Sequence, residues 1–187
     1  RELDLRREAA SASELADHMR SVPGYRVPAI DWDRTAGKVM TLEWVDGIKI
    51  SDVAALDAAG IDRPALAQRL VLTFLTQAIS AGYFHADMHQ GNLLVERDGS
   101  IAALDFGIMG RINRQARFWL AEILYGLITG NYQRVAEIHF EAQYVPDYHD
   151  VGEFATALRA VGEPMRGKQV SELSVGAIID WLFAITS

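Results

Sequence analysis

The chain has no cysteine, so it can build neither a disulfide framework nor a thiolate metal site, and it holds no cysteine nucleophile. Positive charge is not in excess: 18 Lys and Arg stand against 25 Asp and Glu, for a formal net charge of −7, and the basic residues are scattered. A nucleic-acid footprint needs a basic face, so nucleic acid is not an expected partner. Long apolar runs are also missing. The most apolar stretch, near the C-terminal end, is interrupted by Asp180, and no run reaches the roughly 20 residues that a membrane-spanning helix needs. No signal peptide opens the chain. Repeats and low-complexity tracts are absent, and the 5 prolines and 15 glycines serve as punctuation. What remains is 187 residues, enough for one domain with a proper core. The chain starts at Arg1 and stops in the apolar residues 181–185, which reads as a fragment of a longer protein.

Residues 1–20 are rich in Ala, Leu, Glu and Arg and predict a helix, broken by Pro23-Gly24. Residues 27–31 and 39–45 are short β-type runs that predict an antiparallel pair, left through the turn Asp46-Gly47. A short helix is expected over 51–59, with Ser51 as its cap. Asp62 and Pro64 signal a longer helix with Leu66, Leu70, Phe74 and Ala78 on one face and Gly82 as its stop. Beyond residue 107 the pattern is helical throughout. Asn113 and Asn131 look like N-caps, and Leu120, Ile123, Leu124, Leu127 and Ile128 form the expected buried face of the first helix. A helix over 151–161 ends at Glu163-Pro164, and 171–185 predicts a last amphipathic helix.

Chemistry concentrates in residues 85–107. Asp87 and Asn92 stand five positions apart on a segment that follows a helix and leads into the apolar run Leu93-Leu94-Val95, a half-buried strand. Asp98-Gly99 is a strong hairpin signal, and residues 101–104 form the returning strand, so Asp105 emerges beside the loop holding Asp87 and Asn92. In a kinase-like site the loop Asp orients the attacking hydroxyl, while the loop Asn and the Asp of Asp-Phe-Gly hold Mg2+ against the phosphates. Mg2+ takes few hard oxygen ligands from protein when nucleotide and water supply the rest. A lone Asp before a turn is usually a cap; here the spacing and the intervening hairpin favour phosphoryl transfer. His85 and His89 sit on a loop without a third ligand, so structural hydrogen bonding is preferred to metal binding. Trp44 is expected to pack rather than to stack on a ligand, and Arg6 and Arg7 to lie on a solvated face.

These motifs resemble the UbiB-type atypical protein-kinase-like family, the ubiquinone-biosynthesis accessory kinases, in its bacterial form. The likeness rests on Glu2-Leu3-Asp4-Leu5-Arg6-Arg7-Glu8-Ala9, Leu42-Glu43-Trp44-Val45-Asp46-Gly47, His85-Ala86-Asp87-Met88-His89-Gln90-Gly91-Asn92 and Asp105-Phe106-Gly107, and runs over essentially all 187 residues. It implies an α+β, protein-kinase-like fold: a partial N-lobe over 1–47, with an αC-type helix, two strands and a hinge, and a mostly helical C-lobe over 48–187 with a small catalytic β-hairpin. By the same resemblance Asp87 is the catalytic-loop Asp, and Asn92 and Asp105 are the Mg2+ ligands. Glu8 is the αC-type Glu that pairs with a nucleotide-binding Lys. Glu2 and Asp4 form a Glu-x-Asp feature that contacts an N-terminal extension, and Glu43, Trp44 and Val45 form the hinge at the adenine. The Lys, the alanine-rich phosphate loop and the Lys-x-Gly-Gln extension are expected upstream of Arg1. Gln90 departs from the Pro common at that position.

The implied function is an ATP- and Mg2+-dependent atypical kinase or ATPase supporting ubiquinone biosynthesis, on the cytoplasmic side of the bacterial inner membrane. Implied partners are ATP, a phenolic quinone precursor or lipid, quinone-biosynthesis proteins, and a membrane surface reached through other segments. Two alternatives stand beside it: an aminoglycoside- or choline-kinase-like phosphotransferase, and a non-catalytic pseudokinase or lipid-presenting scaffold.

Overall fold

Helix α1 (Leu5–Met19) opens residues 4–165, the part of the chain that the computed structural model describes. The described residues belong to two compact units, one ending at Arg111 and the other beginning at Ile112. Asp4 caps α1 by accepting the Arg6 N–H at 3.1 Å, and its carboxylate also holds the Arg6 guanidinium at 3.0 and 2.7 Å. Ala9, Ala12, Leu15 and Met19 recur at helical spacing and form its buried stripe.

Gly24, at φ +77°, turns the chain into strand β1 (Tyr25–Arg26). This strand pairs in parallel with β5 (Ile101–Ala103). β5 pairs antiparallel with β4 (Leu93–Val95), and β4 antiparallel with β2 (Ile48–Lys49), giving a four-stranded sheet of order β1-β5-β4-β2. The turn between β4 and β5 is the expected Asp98-Gly99 turn, with Gly99 at φ +80° and the Glu96 N–H donating to Ser100 O at 2.9 Å. A second, two-stranded antiparallel sheet joins β3 (Tyr83–His85) to β6 (Met109–Arg111).

The expected strand pair over 27–31 and 39–45 is corrected. Its antiparallel sense holds, but only isolated bridges form, at Ile30–Leu42 and Ala36–Val39. Side chains compete there for the backbone: Thr35 Oγ1 accepts the Thr41 N–H at 3.2 Å, and Thr41 Oγ1 donates to Arg34 O at 2.8 Å. Pro28 removes a ladder donor as well.

Helix α2 (Val53–Ala58) is capped by Asp52, not by Ser51, through the Ala55 N–H at 3.0 Å. Helix α3 (Arg63–Leu75) starts from Asp62 as expected, with Pro64 in its first turn. It runs on into a π-type turn (Thr76–Ala81) and stops at Gly82, in left-handed geometry at φ +69°. Leu15, Tyr25, Leu56, Leu66, Val95 and Phe106 lie in the core of this unit.

The second unit stacks α4 (Arg114–Thr129), α5 (Tyr132–Glu141) and α6 (Val151–Gly162), capped by Asn113, Asn131 and Asp150. Ile123, Tyr132, Val135, Ile138 and Leu158 fill its core. Ile128 is 76% exposed and leaves the expected buried face. Five residues of helix turn through about 500°, which places Ile128 roughly 140° from Ile123. A 3-10 turn (Glu163–Met165) follows α6, and the last expected helix lies outside the described residues. Among the described residues, no helix is long and apolar enough to cross a membrane.

Candidate active site

The two sheets bring the ends of the 85–107 segment together. Gly82 ends the long helix and β3 follows at once, so Asp87 sits on the loop just beyond the last β3 residue, His85. Ala86 donates its N–H to Ile108 O at 3.0 Å, extending the β3–β6 pairing to the base of that loop. A 3-10 turn (Gln90–Asn92) then delivers Asn92 to the start of β4. Across the hairpin the Leu104 N–H donates to Asn92 O at 2.9 Å, which holds the approach to Asp105 against Asn92. Asp87, Asn92 and Asp105 thus emerge from one patch of backbone. Asp87 and Asp105 are exposed, and Asn92 is half-buried.

His85 ties this patch together from below. Its side chain is buried, and Nδ1 accepts the Asp87 N–H at 3.1 Å. That bond fixes the neutral tautomer with its proton on Nε2, which donates to the Asp105 carbonyl. Burial pushes the His85 pKa down, and the Asp105 carbonyl offsets part of that shift. The expected structural role of His85 is therefore met by one imidazole spanning both loops. His89 Nδ1 accepts the Gly91 N–H at 3.1 Å and caps the 3-10 turn. Gln77, in the π-type turn, accepts the His85 N–H at 3.0 Å.

Glu8 reaches the same patch from α1. Its Oε1 accepts the Phe106 N–H at 3.1 Å, while Asp105 Oδ1 accepts the Gly107 N–H at 2.9 Å. Phe106 itself is buried, so the Asp-Phe-Gly segment is anchored by its ring and by α1. The side chains of Asp105 and Asn92 offer hard oxygens, a donor set that suits Mg2+ when phosphate and water complete the octahedron. Among the described residues, no group of three or more His, Asp or Glu is arranged to hold a metal without such help.

The hinge residues divide. Val45 is buried, whereas Trp44 is 88% exposed, so the expected packing role of Trp44 is corrected. The Glu43 carboxylate accepts from Arg26 Nη1 at 2.9 Å and from the Ala29 N–H at 3.3 Å, and these bonds hold its pKa below the ordinary range. Arg26 also forks onto Glu96 at 2.7 and 2.9 Å, tying the Glu43 segment to the β4–β5 hairpin. Gly47 seats the segment: a Cβ there would lie 2.9 Å from Leu94 Cβ and 3.2 Å from Val95 O. Asp4 serves as the α1 cap, and Glu2 lies outside the described residues. Sequence reasoning missed Arg26 and Gln77. Nothing marks an Arg in a two-residue strand, but a Gln beside Ala78 on the apolar helix face was a usable signal.

Residues 1–139 match the profile of the ABC1 atypical kinase-like domain. The chain is 40% identical over 190 residues to the Probable protein kinase UbiB of Xanthomonas axonopodis pv. citri (strain 306), covering 98% of this chain and 34% of that protein. It is 38% identical over 190 residues to the Probable protein kinase UbiB of Xylella fastidiosa (strain M12), with the same coverage of 98% and 34%. The chain therefore spans about a third of the length of these curated relatives. Among solved structures, the complex of Rv3197 with erythromycin from Mycobacterium tuberculosis superposes at TM-score 0.63 with 25% identity, over 87% of this chain and 41% of that chain.

Proposed function

The chain belongs to the ABC1 atypical kinase-like family, and on that premise we propose that its parent protein is an ATP- and Mg2+-dependent atypical kinase or ATPase supporting ubiquinone biosynthesis. The observation that carries this reading is the single imidazole of His85, which joins the backbones bearing Asp87 and Asp105. Two carboxylate-bearing backbones tied to one buried side chain suit a reaction that consists almost wholly of positioning and electrostatic stabilisation. Asn92 and Asp105 would hold the Mg2+, which when bound neutralises charge developing on the phosphoryl oxygens. Asp87, exposed on its loop, orients the hydroxyl or water that attacks and accepts its proton. Glu8 keeps Phe106 in place with one oxygen and has the other to offer a cation near the phosphates. The backbone of 43–45, braced by Arg26 and Gly47, faces the adenine. Phenolic quinone precursors and lipid are the proposed acceptor or effector, at the cytoplasmic face of the bacterial inner membrane.

The test uses the full-length parent protein and follows Mg2+-dependent ATP binding and ADP release with and without phenolic precursors and lipid vesicles. Asp105→Asn is expected to abolish metal-dependent nucleotide binding. Asp87→Asn is expected to spare binding and to lower turnover. Equal loss of binding in both variants overturns this division of roles. A second reading, a small-molecule phosphotransferase, draws on the erythromycin complex of the Mycobacterium tuberculosis neighbour, and stoichiometric phosphorylation of a soluble aminoglycoside or amino alcohol would favour it.

A further inference from the structure

We propose that Gln77 is a positioning residue of this site, whose side-chain oxygen sets the backbone at His85 and thereby the placement of Asp87 and Asp105. The catalytic consequence rests on the phosphoryl-transfer reading; the structural link does not.

Gln77 has no solvent exposure at all, and a buried primary amide is costly unless bonded. It stands in the π-type turn (Thr76–Ala81). Such a turn inserts one residue into the helical register and often occurs at functional sites. The Gln77 oxygen takes the His85 N–H at 3.0 Å. That N–H is the start of a short chain of bonds. The same His85 receives the Asp87 N–H on Nδ1 and donates from Nε2 to the Asp105 carbonyl. A shift of His85 therefore moves both loops at once, and no other buried side chain in this chain of bonds precedes it. On its far side the Gln77 amide faces the buried Tyr25 phenol of β1, where it offsets part of the burial that pushes the Tyr25 pKa up. Neither the Gln77 Nε2 nor the Tyr25 hydroxyl has a well-formed hydrogen bond. The bond that the geometry defines for Gln77 is thus the one its oxygen accepts from the His85 N–H.

A purely structural Gln77 would affect stability and every step alike. A positioning Gln77 affects turnover and the order of the two segments tied to His85. The experiment compares Gln77→Met, Gln77→Glu and Tyr25→Phe in the full-length parent protein. It reads Mg-ATP Kd, turnover, thermal midpoint and amide hydrogen exchange across the whole protein. Met keeps the length and removes the acceptor, Glu keeps an acceptor oxygen, and Tyr25→Phe perturbs the same pocket without touching the His85 bond. In Gln77→Met, turnover should fall about ten- to a hundredfold, the loss expected when a reacting group is misplaced by roughly 1 Å. Its Mg-ATP Kd should rise as well, because the Asp105 segment is displaced together with that of Asp87, but far less than in Asp105→Asn, which removes the metal-holding carboxylate. Exchange should quicken in 83–89 and in 105–107 and stay unchanged elsewhere. Gln77→Glu should recover most of both, and Tyr25→Phe should show neither effect. Wild-type turnover in Gln77→Met, or quickened exchange spread over the whole protein, overturns the proposal. If the wild-type protein neither binds nor hydrolyses Mg-ATP, the phosphoryl-transfer reading fails. Exchange over 83–89 then decides the positioning claim alone, and an unchanged rate in Gln77→Met refutes it.

Discussion

Replacing Glu8 separates two roles that one carboxylate combines. Its Oε1 accepts the N–H of Phe106, whose side chain is buried, across 3.1 Å. Glu8→Ala leaves that N–H without its partner, which costs about 1–3 kcal/mol. Alanine returns a few tenths of a kcal/mol in helix propensity within α1. The net loss is about 2 kcal/mol, or roughly 4–8 °C in thermal midpoint for a chain of this size. Glu8→Gln keeps an oxygen in the same place and exchanges a charged acceptor for a neutral one, so the loss drops to about 1 kcal/mol or less. Urea unfolding followed by tryptophan fluorescence measures both. Mg-ATP binding to the parent protein supplies the second axis. If Glu8 also pairs with a cation that holds the phosphates, Glu8→Gln weakens binding about tenfold or more while remaining nearly as stable as wild type. Equal stability of Glu8→Ala and wild type would refute the anchoring role. Equal Mg-ATP affinity of Glu8→Gln and wild type would refute the pairing role and leave the anchor standing.

Gly126 lies buried in α4, and an added Cβ would come 2.4 Å from Val135 Cγ2 and 3.2 Å from Asn131 O. Helix propensity favours Gly126→Ala by about 1 kcal/mol, but overpacking of a filled core costs about 1–3 kcal/mol, so denaturant unfolding should show net destabilisation, relieved by adding Val135→Ala. His139 is buried, and its Nδ1–H donates to Val135 O at 2.7 Å. Burial lowers its pKa, with the Val135 carbonyl opposing the shift. The unfolded chain then binds the proton more readily, so the stability that neutral His139 contributes is complete above about pH 6.5 and is lost as pH falls through the folded value. His85 shifts in the same direction, so thermal melts between about pH 5 and 7.5 should keep a slope in His139→Asn, but a shallower one than in wild type. A slope unchanged by His139→Asn would discount the contribution of this residue.

Local signals carried most of what the sequence revealed. Caps such as Asp62, Asn113 and Asn131 act on backbone N–H groups three residues away, so their meaning is contained in a short window. The same is true of Asp98-Gly99 and of the stop at Gly82. The motif spacing around Asp87, Asn92 and Asp105 correctly implied a hairpin that brings their backbones together. Failures appeared where distant partners decide. Residues 27–31 and 39–45 have strand composition, but threonine side chains divert their backbone bonding. β1 is two residues long and takes its partner from β5, so no periodicity announces it. The bonds that commit the Glu43 side chain to Arg26 and to the Ala29 N–H join residues too far apart in the chain for a local pattern to announce them. The exposure of Trp44 and Ile128 depends on what surrounds them, which composition does not encode.

The parallel pairing of β1 with β5 also governs how this unit can fold. Tyr25 must find Ile101, and Arg26 must find Ala102, with α2, α3 and the loop bearing Asp87 and Asn92 lying between them in the chain. Closing so long a loop costs entropy before any contact repays it, and topologies of this kind fold slowly. During synthesis β1 leaves the ribosome before its partner β5 and stays unpaired until β5 has been made. The β4–β5 hairpin that brings Asn92 and the approach to Asp105 together is local and can close first, so the β1–β5 edge of the sheet is the part that closes late.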